Sequence, residues 1–567
     1  NASQAISLLA QQEGMRLVSA KGPLQVESHG DILSLTALKD ITVQSTQGHL
    51  QLTAKNGITL GCGGAYIRLT PQGEVQIHGP GVISLKGQHD LQGPVSEAFP
   101  FAKDGGLGDV AYAFPQTVRN MGQDIRVVMP LYDTIPTHYR EQMELISNFT
   151  LNVSFQTLYC GLYRLELRGV TVYFVENDVY FMRGQLYGCR DDDARFAFFS
   201  KAVVESIRYM DWTPDVVHCN DWQTALVLFY LRDKQMKNPA LRPIHTVFTI
   251  HNVEYQGNFS YQTLTDVFGL SGVLFSQGTL ELDGKVNLMK GAIEIADRVT
   301  TVSPAYAREL KAPDASGNLA EVIAAHEIVG IRNGIHREIN PFDCPHVHRP
   351  YTADTVDERV FNKLWMQENM SLKLGEDIPV LGCVSRLLPR KGFDLLAEVL
   401  PEYLSRGAEL VVCGNGKRDI KQLLQGLEEQ YPEQVAVISY SEAHAAEVLS
   451  SIDLFLMPSV VEPCGTAQLQ AMRYGAVPLV HATGGLRDTV KPYDDQHPDG
   501  WGFVFEDYTP EALKATMDTA LSAYYEDGAL WERLQKRCMA QDFSWDEPAK
   551  AYIALYQDLL NGHHISA

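Results

Sequence analysis

A chain of 567 residues is too long for one hydrophobic core, so we expect three domains. Hydrophobic residues at 45% and charged residues at 20% are typical of a globular protein, and no apolar run approaches the roughly 18 residues of a membrane helix. The formal charge of -22 repels phosphate backbones, which argues against nucleic acid as a partner. Nine scattered cysteines without disulfide or zinc spacing indicate reduced thiols and a reducing compartment.

The first ninety residues alternate apolar and polar positions in short runs that are broken by Gly or Asp. Such runs, from Leu24 through Ile41, Leu50 and Ile58 to Ile83, predict a stack of short strands in a β-solenoid or β-prism. An ordinary β-sandwich is the alternative. These strands have few partners within one chain, so we expect oligomerisation to help bury them.

From about Val95 the pattern changes to alternating strands and helices. A glycine-rich turn, Gly105 to Gly108, runs into an apolar helical pattern and follows Lys103, and such turns let backbone N–H groups approach phosphates. Ile125 to Pro130 is expected to be a buried strand. The stretches DVVHCNDW and HTVFTIHN then place polar side chains at strand ends, where each is a candidate ligand or a helix cap.

The stretch from Pro458 to Gly485 organises the second half of the chain. An apolar run, Ile452 to Met457, ends at a turn, a helical pattern follows over Thr466 to Tyr474, and Ala476 to Val480 is the next predicted strand. In an open parallel sheet such a loop lies at the carboxyl ends of the strands, where ligands bind. Glu462 lies in this loop, either as a functional carboxylate or as a cap of the helix.

The first segment resembles the C-terminal β-prism of the VgrG spike of type VI secretion systems. The resemblance covers residues 1–94 and is carried by GGAYIRL, VQIHGPG and ISLKGQHDLQGP. It implies a homotrimer wound from three chains, partners among the type VI secretion components, and a chain that begins partway through a longer spike protein. It also implies a bacterial cytoplasmic protein that is delivered into a target cell.

The rest of the chain resembles bacterial glycogen synthases and plant starch synthases. The matching motifs, in order, are SEAFPFAKDGGLGDV, VVHCNDWQTAL, FTIHNVEYQG, GKVNLMKGAIEIADRVTTVSPAYAREL, VGIRNGIHREINP, VSRLLPRKGFDLL, PSVVEPCG and HATGGLRDTV. Eight collinear motifs are far more specific than any one of them. The resemblance implies a GT-B fold of two Rossmann-like domains with a cleft between them, at residues 95–340 on the acceptor side and 341–567 on the nucleotide-sugar side.

The implied activity is transfer of glucose from ADP-glucose or UDP-glucose to an α-1,4-glucan, with retention of configuration and without a metal or other cofactor. By the resemblance, the catalytic residues are Glu462, Arg386, Lys391 and His218. The donor-binding residues are Lys103, Gly105, Gly106, Asn287, Lys290, Cys464, Gly465, Thr483, Gly484 and Gly485. Asp109 and Asn220 approach the acceptor, and which of His218 and Asn220 faces the glucose stays open.

Several residues depart from the family pattern. Asp104 stands where threonine is usual, His336 replaces the aspartate of NGID, and Val460 and Val461 replace an arginine and a phenylalanine. Cys344, His346 and His348 could ligate zinc, but no fourth ligand is in view, so we expect no metal. Residues 87–95 contain Gly93 and Pro94, which disfavour a buried first strand. We therefore expect the first sheet to lack a regular first strand or to have a short irregular one in its place.

Two other functions remain open. The transferase fold could serve as a catalytically inactive glucan- or nucleotide-binding module. Alternatively, the chain could be a housekeeping glycogen synthase with an N-terminal extension.

Overall fold

The computed structural model describes residues 58–62, 65–69, 75–78, 101–102, 106–210, 212–238 and 244–561. The chain divides into two compact units, Asn1–Asp90 and Leu91–Ala567. Among the helices that the structure describes, none combines the length and the apolar character needed to cross a bilayer.

The described part of the first unit is an antiparallel three-stranded sheet. Its strands follow one another in the order Ile58–Cys62, Ala65–Leu69 and Val75–His78. They fall where the alternating pattern predicts strands. The strands expected before Ile58 and at Ile83, and the irregular first strand expected over residues 87–95, lie outside the described residues, so the prism stays a prediction.

The first part of the second unit, residues 101–340, is called here the first α/β half. One sheet has the order Arg126–Pro130, Val170–Glu176, Gln156–Leu167 and Glu144–Val153, of which the first pair is parallel. The other is wholly parallel, in the order Val216–Asn220, His245–Ile250, Arg298–Thr301 and Ile328–Gly330. A small antiparallel sheet joins Asn258–Phe259, Lys285–Asn287 and Glu281–Leu282.

Residues 341–561 form the second α/β half, which contains a six-stranded parallel sheet. Its strands in spatial order are Val435–Ile438, Glu409–Cys413, Val380–Val384, Leu454–Met457, Val477–His481 and Phe503–Phe505. Numbered along the chain this order is 3-2-1-4-5-6, that of a Rossmann sheet. The central strands are buried along their whole length because helices cover both faces, which explains their continuous apolar runs.

Helices alternate with these strands in both halves. The α-helices of the first half are Gly106–Asn120, Thr137–Arg140, Asp178–Phe181, Asp192–Ser206, Trp222–Lys237, Tyr261–Asp266, Val273–Ser276, Leu288–Ile295, Pro304–Glu309, Pro313–Ser316 and Leu319–Ala325. Those of the second half are Arg359–Asn369, Phe393–Ser405, Arg418–Gln430, Glu442–Ser451, Ala467–Arg473, Gly485–Thr489, Pro510–Glu526, Gly528–Ala540 and Asp546–Leu560. Short 3-10 turns lie at Ile207–Tyr209, Ala353–Glu358 and Pro389–Lys391.

The last helix, Asp546–Leu560, returns to pack on the first half. Tyr552 lies against Phe114 of the helix Gly106–Asn120, with ring centroids 4.9 Å apart. Tyr556 reaches His218 of the parallel sheet, its hydroxyl 2.7 Å from the ring Nδ1. Because these contacts are buried and partly apolar, the C-terminal helix fastens the two halves to each other.

The strand expected over Ile125 to Pro130 forms, but its burial was predicted wrongly. It spans Arg126–Pro130, and only Pro130 is buried. The strand lies at the edge of its sheet, where Arg126 stacks on Trp212 at 4.5 Å and donates to the Tyr173 hydroxyl at 2.8 Å. Its apolar residues resemble a central strand in sequence, because period and composition do not distinguish an edge from a centre.

Glu409 is a fully buried carboxylate at the start of its strand. The Gln367 side-chain amide donates to it at 2.8 Å, and burial raises its pKa from 4.5 to about 7. Since the folded-state pKa lies above the unfolded one, the folded state loses stability as the pH rises through this interval.

We therefore expect Glu409→Gln to increase the free energy of unfolding at pH 8 by about 1–3 kcal/mol and to have little effect at pH 4.5. Denaturant unfolding at both pH values measures this difference. The exposed Glu398, changed to Gln, is the matched control. A variant that is less stable than the parent at pH 8 would contradict the assignment.

Candidate active site

The site is built at the point where the strand order of the Rossmann sheet reverses. The strands Val380–Val384 and Leu454–Met457 are neighbours, and the chain leaves them toward opposite sides of the sheet. Their carboxyl-terminal loops therefore face each other across a crevice. A small cavity lies there, lined by Ser385, Lys391, Pro458 and Ser459 among others.

Lys391 and Glu462 meet in this crevice. The Lys391 Nζ lies 2.5 Å from the Glu462 Oε2, and the two side chains are only 13% and 9% exposed. The Ser459 hydroxyl donates to the same carboxylate oxygen at 3.1 Å. The helix that follows is Ala467–Arg473, with Thr466 at its N-cap, so the alternative in which Glu462 caps this helix is wrong.

The other two basic residues of SRLLPRK have different surroundings. Arg386 is exposed. Arg390 forms an ion pair with Glu254, which belongs to the first half, and its carbonyl accepts the Val460 N–H at 2.9 Å. Arg390 was not predicted as a site residue, whereas the structure pairs it with an acidic side chain of the other half.

The loop Thr483–Gly485 lies beside Glu462. The Gly485 N–H donates to the Glu462 carbonyl at 3.0 Å. The Gly484 N–H donates to both oxygens of the Glu309 carboxylate, at 2.8 and 3.0 Å. Glu309 belongs to the first half, so this backbone donor of the second half is occupied by a carboxylate from across the cleft.

Cys464 and Gly465 continue the loop from Glu462. The Cys464 thiol is buried, and burial raises its pKa from 9.0 to about 12, so it is not a nucleophile at neutral pH. Gly465 adopts a φ of 71°, a left-handed conformation that glycine accommodates without strain. The loop therefore turns sharply at Gly465 before the helix begins.

On the first half, Asn220, Asp221 and His251 form a hydrogen-bonded group at the ends of two parallel strands. The Asn220 Oδ1 lies 2.9 Å from the His251 Nε2, and the Asp221 carboxylate accepts the His251 backbone N–H at 2.7 Å. Asp221 has a φ of 57°, which is strained for a non-glycine residue. Burial raises the pKa of Asp221 to about 7 and lowers that of His251 to about 4.

His218 is held by protein groups at both ring nitrogens. Its Nδ1 lies 2.7 Å from the Tyr556 hydroxyl and its Nε2 lies 2.5 Å from the Thr249 hydroxyl. Burial lowers its pKa to about 3, so the ring is neutral at physiological pH. A substrate contact would require one of these bonds to be exchanged, and the catalytic role of His218 stays a prediction.

Asn287 and Lys290 are engaged within the first half. The Asn287 side chain caps the helix Leu288–Ile295 and donates to Gln256 and Asn258. The Lys290 ammonium bonds to the Gly278 carbonyl and lies 3.5 Å from Glu294. Both side chains are buried in these contacts, and their contact with a sugar stays a prediction.

Asp109 lies at the junction of the two halves. With Tyr112 and His336 of the first half and Thr466 of the second, it lines a second small cavity. The His336 ring packs on Tyr112 with centroids 5.2 Å apart. The predicted acceptor residue therefore faces the helix that follows the Glu462 loop.

The glycine-rich turn is described only in part. Gly106 begins the helix Gly106–Asn120, so the helix starts within the glycines rather than after them. Lys103, Asp104 and Gly105 lie outside the described residues. No group of three or more His, Cys, Asp or Glu side chains that could hold a metal ion occurs in the parts of the chain that the structure describes.

Glu309, Glu254 and Ser459 were not predicted as site residues. The sequence around Glu309 does contain a local helix signal, because Ser303 is the N-cap of the helix Pro304–Glu309 and Pro304 lies in its first turn. Nothing in that local signal says that the helix faces the second half, because the orientation of two domains is not a property of local sequence.

Comparisons with known proteins follow the same division of the chain. Residues 95–325 match the family model of the starch synthase catalytic domain, and residues 367–537 match that of glycosyl transferases group 1. Residues 1–95 match the model of an uncharacterized protein conserved in bacteria (DUF2345).

Individual relatives match this chain over almost the whole of their own length. Glycogen synthase from Anoxybacillus flavithermus is 41% identical over 475 residues, which are 83% of this chain and 98% of that protein. Glycogen synthase from Clostridium novyi is 40% identical over 471 residues, 82% and 98% of the two chains. The catalytic domain of starch synthase IV from Arabidopsis thaliana, solved with ADP and acarbose, has a TM-score of 0.75 at 30% identity and covers 82% of this chain and 97% of its own.

A substitution at Gly484 tests how closely the Thr483–Gly485 loop packs on the Glu462 loop. Its φ is 44°, and a Cβ there would lie 2.0 Å from the Glu462 carbonyl oxygen. We expect Gly484→Ala to lower the free energy of unfolding by about 1–3 kcal/mol through strain and displacement of the Glu462 loop. Gly528→Ala, where no atom lies within 4 Å of the new Cβ, is the control. Equal stability of both variants, measured by denaturant unfolding, would contradict this fit.

Proposed function

Because this chain belongs to the glycogen synthase family of glycosyltransferases, we propose that it transfers glucose from ADP-glucose or UDP-glucose to the non-reducing end of an α-1,4-glucan. The chain is a glycosyltransferase with a GT-B fold. Transfer with retention of configuration and without a metal is part of the proposal. The starch synthase structure that holds ADP and acarbose supports a nucleoside diphosphate and an oligosaccharide as the ligands of this cleft.

The observation that carries the proposal is the Lys391–Glu462 pair at the strand-order reversal of the Rossmann sheet. Cleavage of the glucosyl–phosphate bond leaves negative charge on the nucleoside diphosphate. A cation held in a water-poor crevice stabilises that charge as it forms, and no reorganisation is needed at the moment of reaction. Glu462 and Ser459 fix the position of Lys391 before the donor arrives.

The remaining donor contacts are assigned around this pair. Arg386 supplies a second cation from the same loop, and the backbone of Thr483–Gly485 supplies N–H donors to phosphate. Glu462 then meets the hydroxyls of the donor, since a carboxylate accepts several hydrogen bonds at once. Lys103 and Gly105 complete the phosphate contacts from the first half in this proposal.

The acceptor enters from the side of the first half. Asp109 and Asn220 are proposed to meet it, and His251 holds the Asn220 amide in place at 2.9 Å. Burial keeps the His251 ring neutral at pH 7, so the ring holds Asn220 without placing a charge in the interior. His336 packs beside Asp109 where the family has aspartate, so the acceptor preference of this chain is proposed to differ.

Changing Lys391 to Ala and Glu462 to Gln should each reduce transfer by on the order of a hundredfold or more, as the loss of a preorganised electrostatic contact does. Initial rates with labelled ADP-glucose and UDP-glucose on a glycogen primer measure this. Lys514→Ala is the matched control, because Lys514 forms an exposed pair with Glu402 at 2.7 Å.

Full activity of Lys391→Ala would remove this residue from the mechanism. Binding of ADP by the parent without turnover of either sugar nucleotide would favour the alternative of an inactive binding module.

The first unit is proposed to be the β-prism of a spike that carries the transferase as cargo of a type VI secretion system. Its support is the resemblance of residues 1–94 to the VgrG prism and the three described strands between Ile58 and His78. In this proposal the protein is made in the bacterial cytoplasm, and the other secretion components are its partners. A housekeeping synthase with an extension is the competing proposal.

If residues 1–94 form such a prism, the full chain is a trimer, whereas a chain of residues 95–567 is monomeric or weakly associated. Strands without partners in one chain gain them by winding with two others. Light scattering on both chains at micromolar concentration gives their masses. A monomeric full chain would count against the prism and leave the transferase proposal untouched.

A further inference from the structure

The helix Pro304–Glu309 of the first half lies directly against the loops of the second half. The Ser303 hydroxyl caps this helix and also donates to the Pro463 carbonyl at 2.7 Å. The Ala305 N–H donates to the Asp488 carboxylate at 2.7 Å. These two bonds fix the start of the helix to the segment between Glu462 and Asp488.

The end of the same helix places a carboxylate on the loop that is assigned to phosphate. Both Glu309 oxygens accept the Gly484 N–H, and Oε1 also lies 3.7 Å from the Arg487 Nε. The Glu309 side chain is 30% exposed, so it is accessible to solvent. A backbone donor and a guanidinium that converge on one carboxylate form an anion-binding arrangement.

The contact between Glu309 and Gly484 is not a by-product of ion pairing between neighbouring charged side chains. Arg487 already has a partner in Glu506, at 2.9 Å, and Arg308 lies 3.9 Å from Asp488. Glu309 is therefore not needed to neutralise Arg487. The shortest hydrogen bonds of Glu309 are those from the Gly484 N–H, and Gly484 has no side chain.

We propose that Glu309 is an internal anion that competes with the donor pyrophosphate for the Thr483–Gly485 loop and thereby sets donor affinity. This inference rests on the proposed function, which assigns phosphate to that loop. A carboxylate and a pyrophosphate cannot both accept the Gly484 N–H, and at this distance they repel each other. Donor binding consequently requires Glu309 to leave, and the apparent affinity equals the intrinsic affinity multiplied by the fraction of molecules in which Glu309 has left.

A purely structural role for Glu309 predicts the opposite change in affinity. If its bonds only hold the two halves in a closed arrangement that the donor needs, removing them opens the cleft and weakens binding. Glu309→Gln separates the two roles, because the amide oxygen still accepts the Gly484 N–H while the negative charge is gone. Glu309→Ala removes both the charge and the bond.

The test is calorimetric binding of ADP, UDP and inorganic pyrophosphate to the full chain and its variants. We expect Glu309→Gln to bind all three about three- to tenfold more tightly than the parent. The gain for pyrophosphate should match that for ADP, because the competition concerns phosphate and not the base. Glu506→Gln is the control, since Glu506 pairs with Arg487 but leaves the Gly484 bond intact, and its affinities should stay within about twofold of the parent.

Each result decides the inference. Binding by Glu309→Gln where the parent shows none supports the competition. An unchanged or weaker affinity in Glu309→Gln overturns it, and so does a lack of binding in every variant. Turnover of a sugar nucleotide by the parent, measured in parallel, separates the two proposals: turnover with unchanged affinity in Glu309→Gln rejects the competition alone, whereas no binding and no turnover rejects both.

Discussion

The ion pair between Lys391 and Glu462 is the interaction around which the second half is arranged. It exists because the Rossmann strand order brings two loops together that are 71 residues apart in the chain. A charge that is only about a tenth exposed is costly unless it is paired and hydrogen-bonded, and here each charge satisfies the other. Ser459, the Gly485 N–H and the tight approach of Gly484 then fix the backbone around Glu462.

Two further sets of contacts join the first half to the second. Ser303, Ala305 and Glu309 bind the loops of the second half, while the C-terminal helix carries Tyr552 and Tyr556 back to the sheet of the first half. The first set is polar, and Ser303 and Ala305 in it are buried, whereas the Glu309 side chain is 30% exposed. The second set is buried and aromatic. Polar, solvent-accessible bonds are exchanged for bonds to a ligand at low cost, whereas buried apolar contacts are not. Exchange of contacts between the halves is therefore expected at Glu309, while the C-terminal helix stays in place.

The strands and helices around Glu462 were predictable from sequence, because their apolar runs and glycine breaks lie within a few residues of one another. The predicted strand at Ile452 to Met457 and helix at Thr466 to Tyr474 correspond to Leu454–Met457 and Ala467–Arg473. Partners across the fold were not predictable. The motif match named Lys391 and Glu462 separately, but their contact follows from the strand order. The contact of Glu309 with Gly484 follows from the orientation of the two halves.

The same limit explains the side chains whose predicted roles the geometry does not support directly. His218 and Asn287 lie in motifs beside the cleft, and adjacency in a motif says nothing about which way a side chain points. His218 bonds to Tyr556, 338 residues further along the chain, and Asn287 caps a helix. Both predicted roles were taken from short family motifs, whereas the direction of each side chain depends on residues elsewhere in the chain.

Charge balance connects these observations. The chain carries a formal charge of -22, so its average field repels an anionic sugar nucleotide, and attraction has to come from cations concentrated in the cleft. Cations left unpaired in a water-poor crevice would destabilise the fold. Lys391 is paired with Glu462, Arg390 with Glu254 and Arg487 with Glu506, while Glu309 accepts the Gly484 N–H. Glu254 and Glu309 come from the first half, so the charge balance of the cleft also joins the two halves. Under the competition proposed for Glu309, donor binding is consequently coupled to the contacts between the two halves.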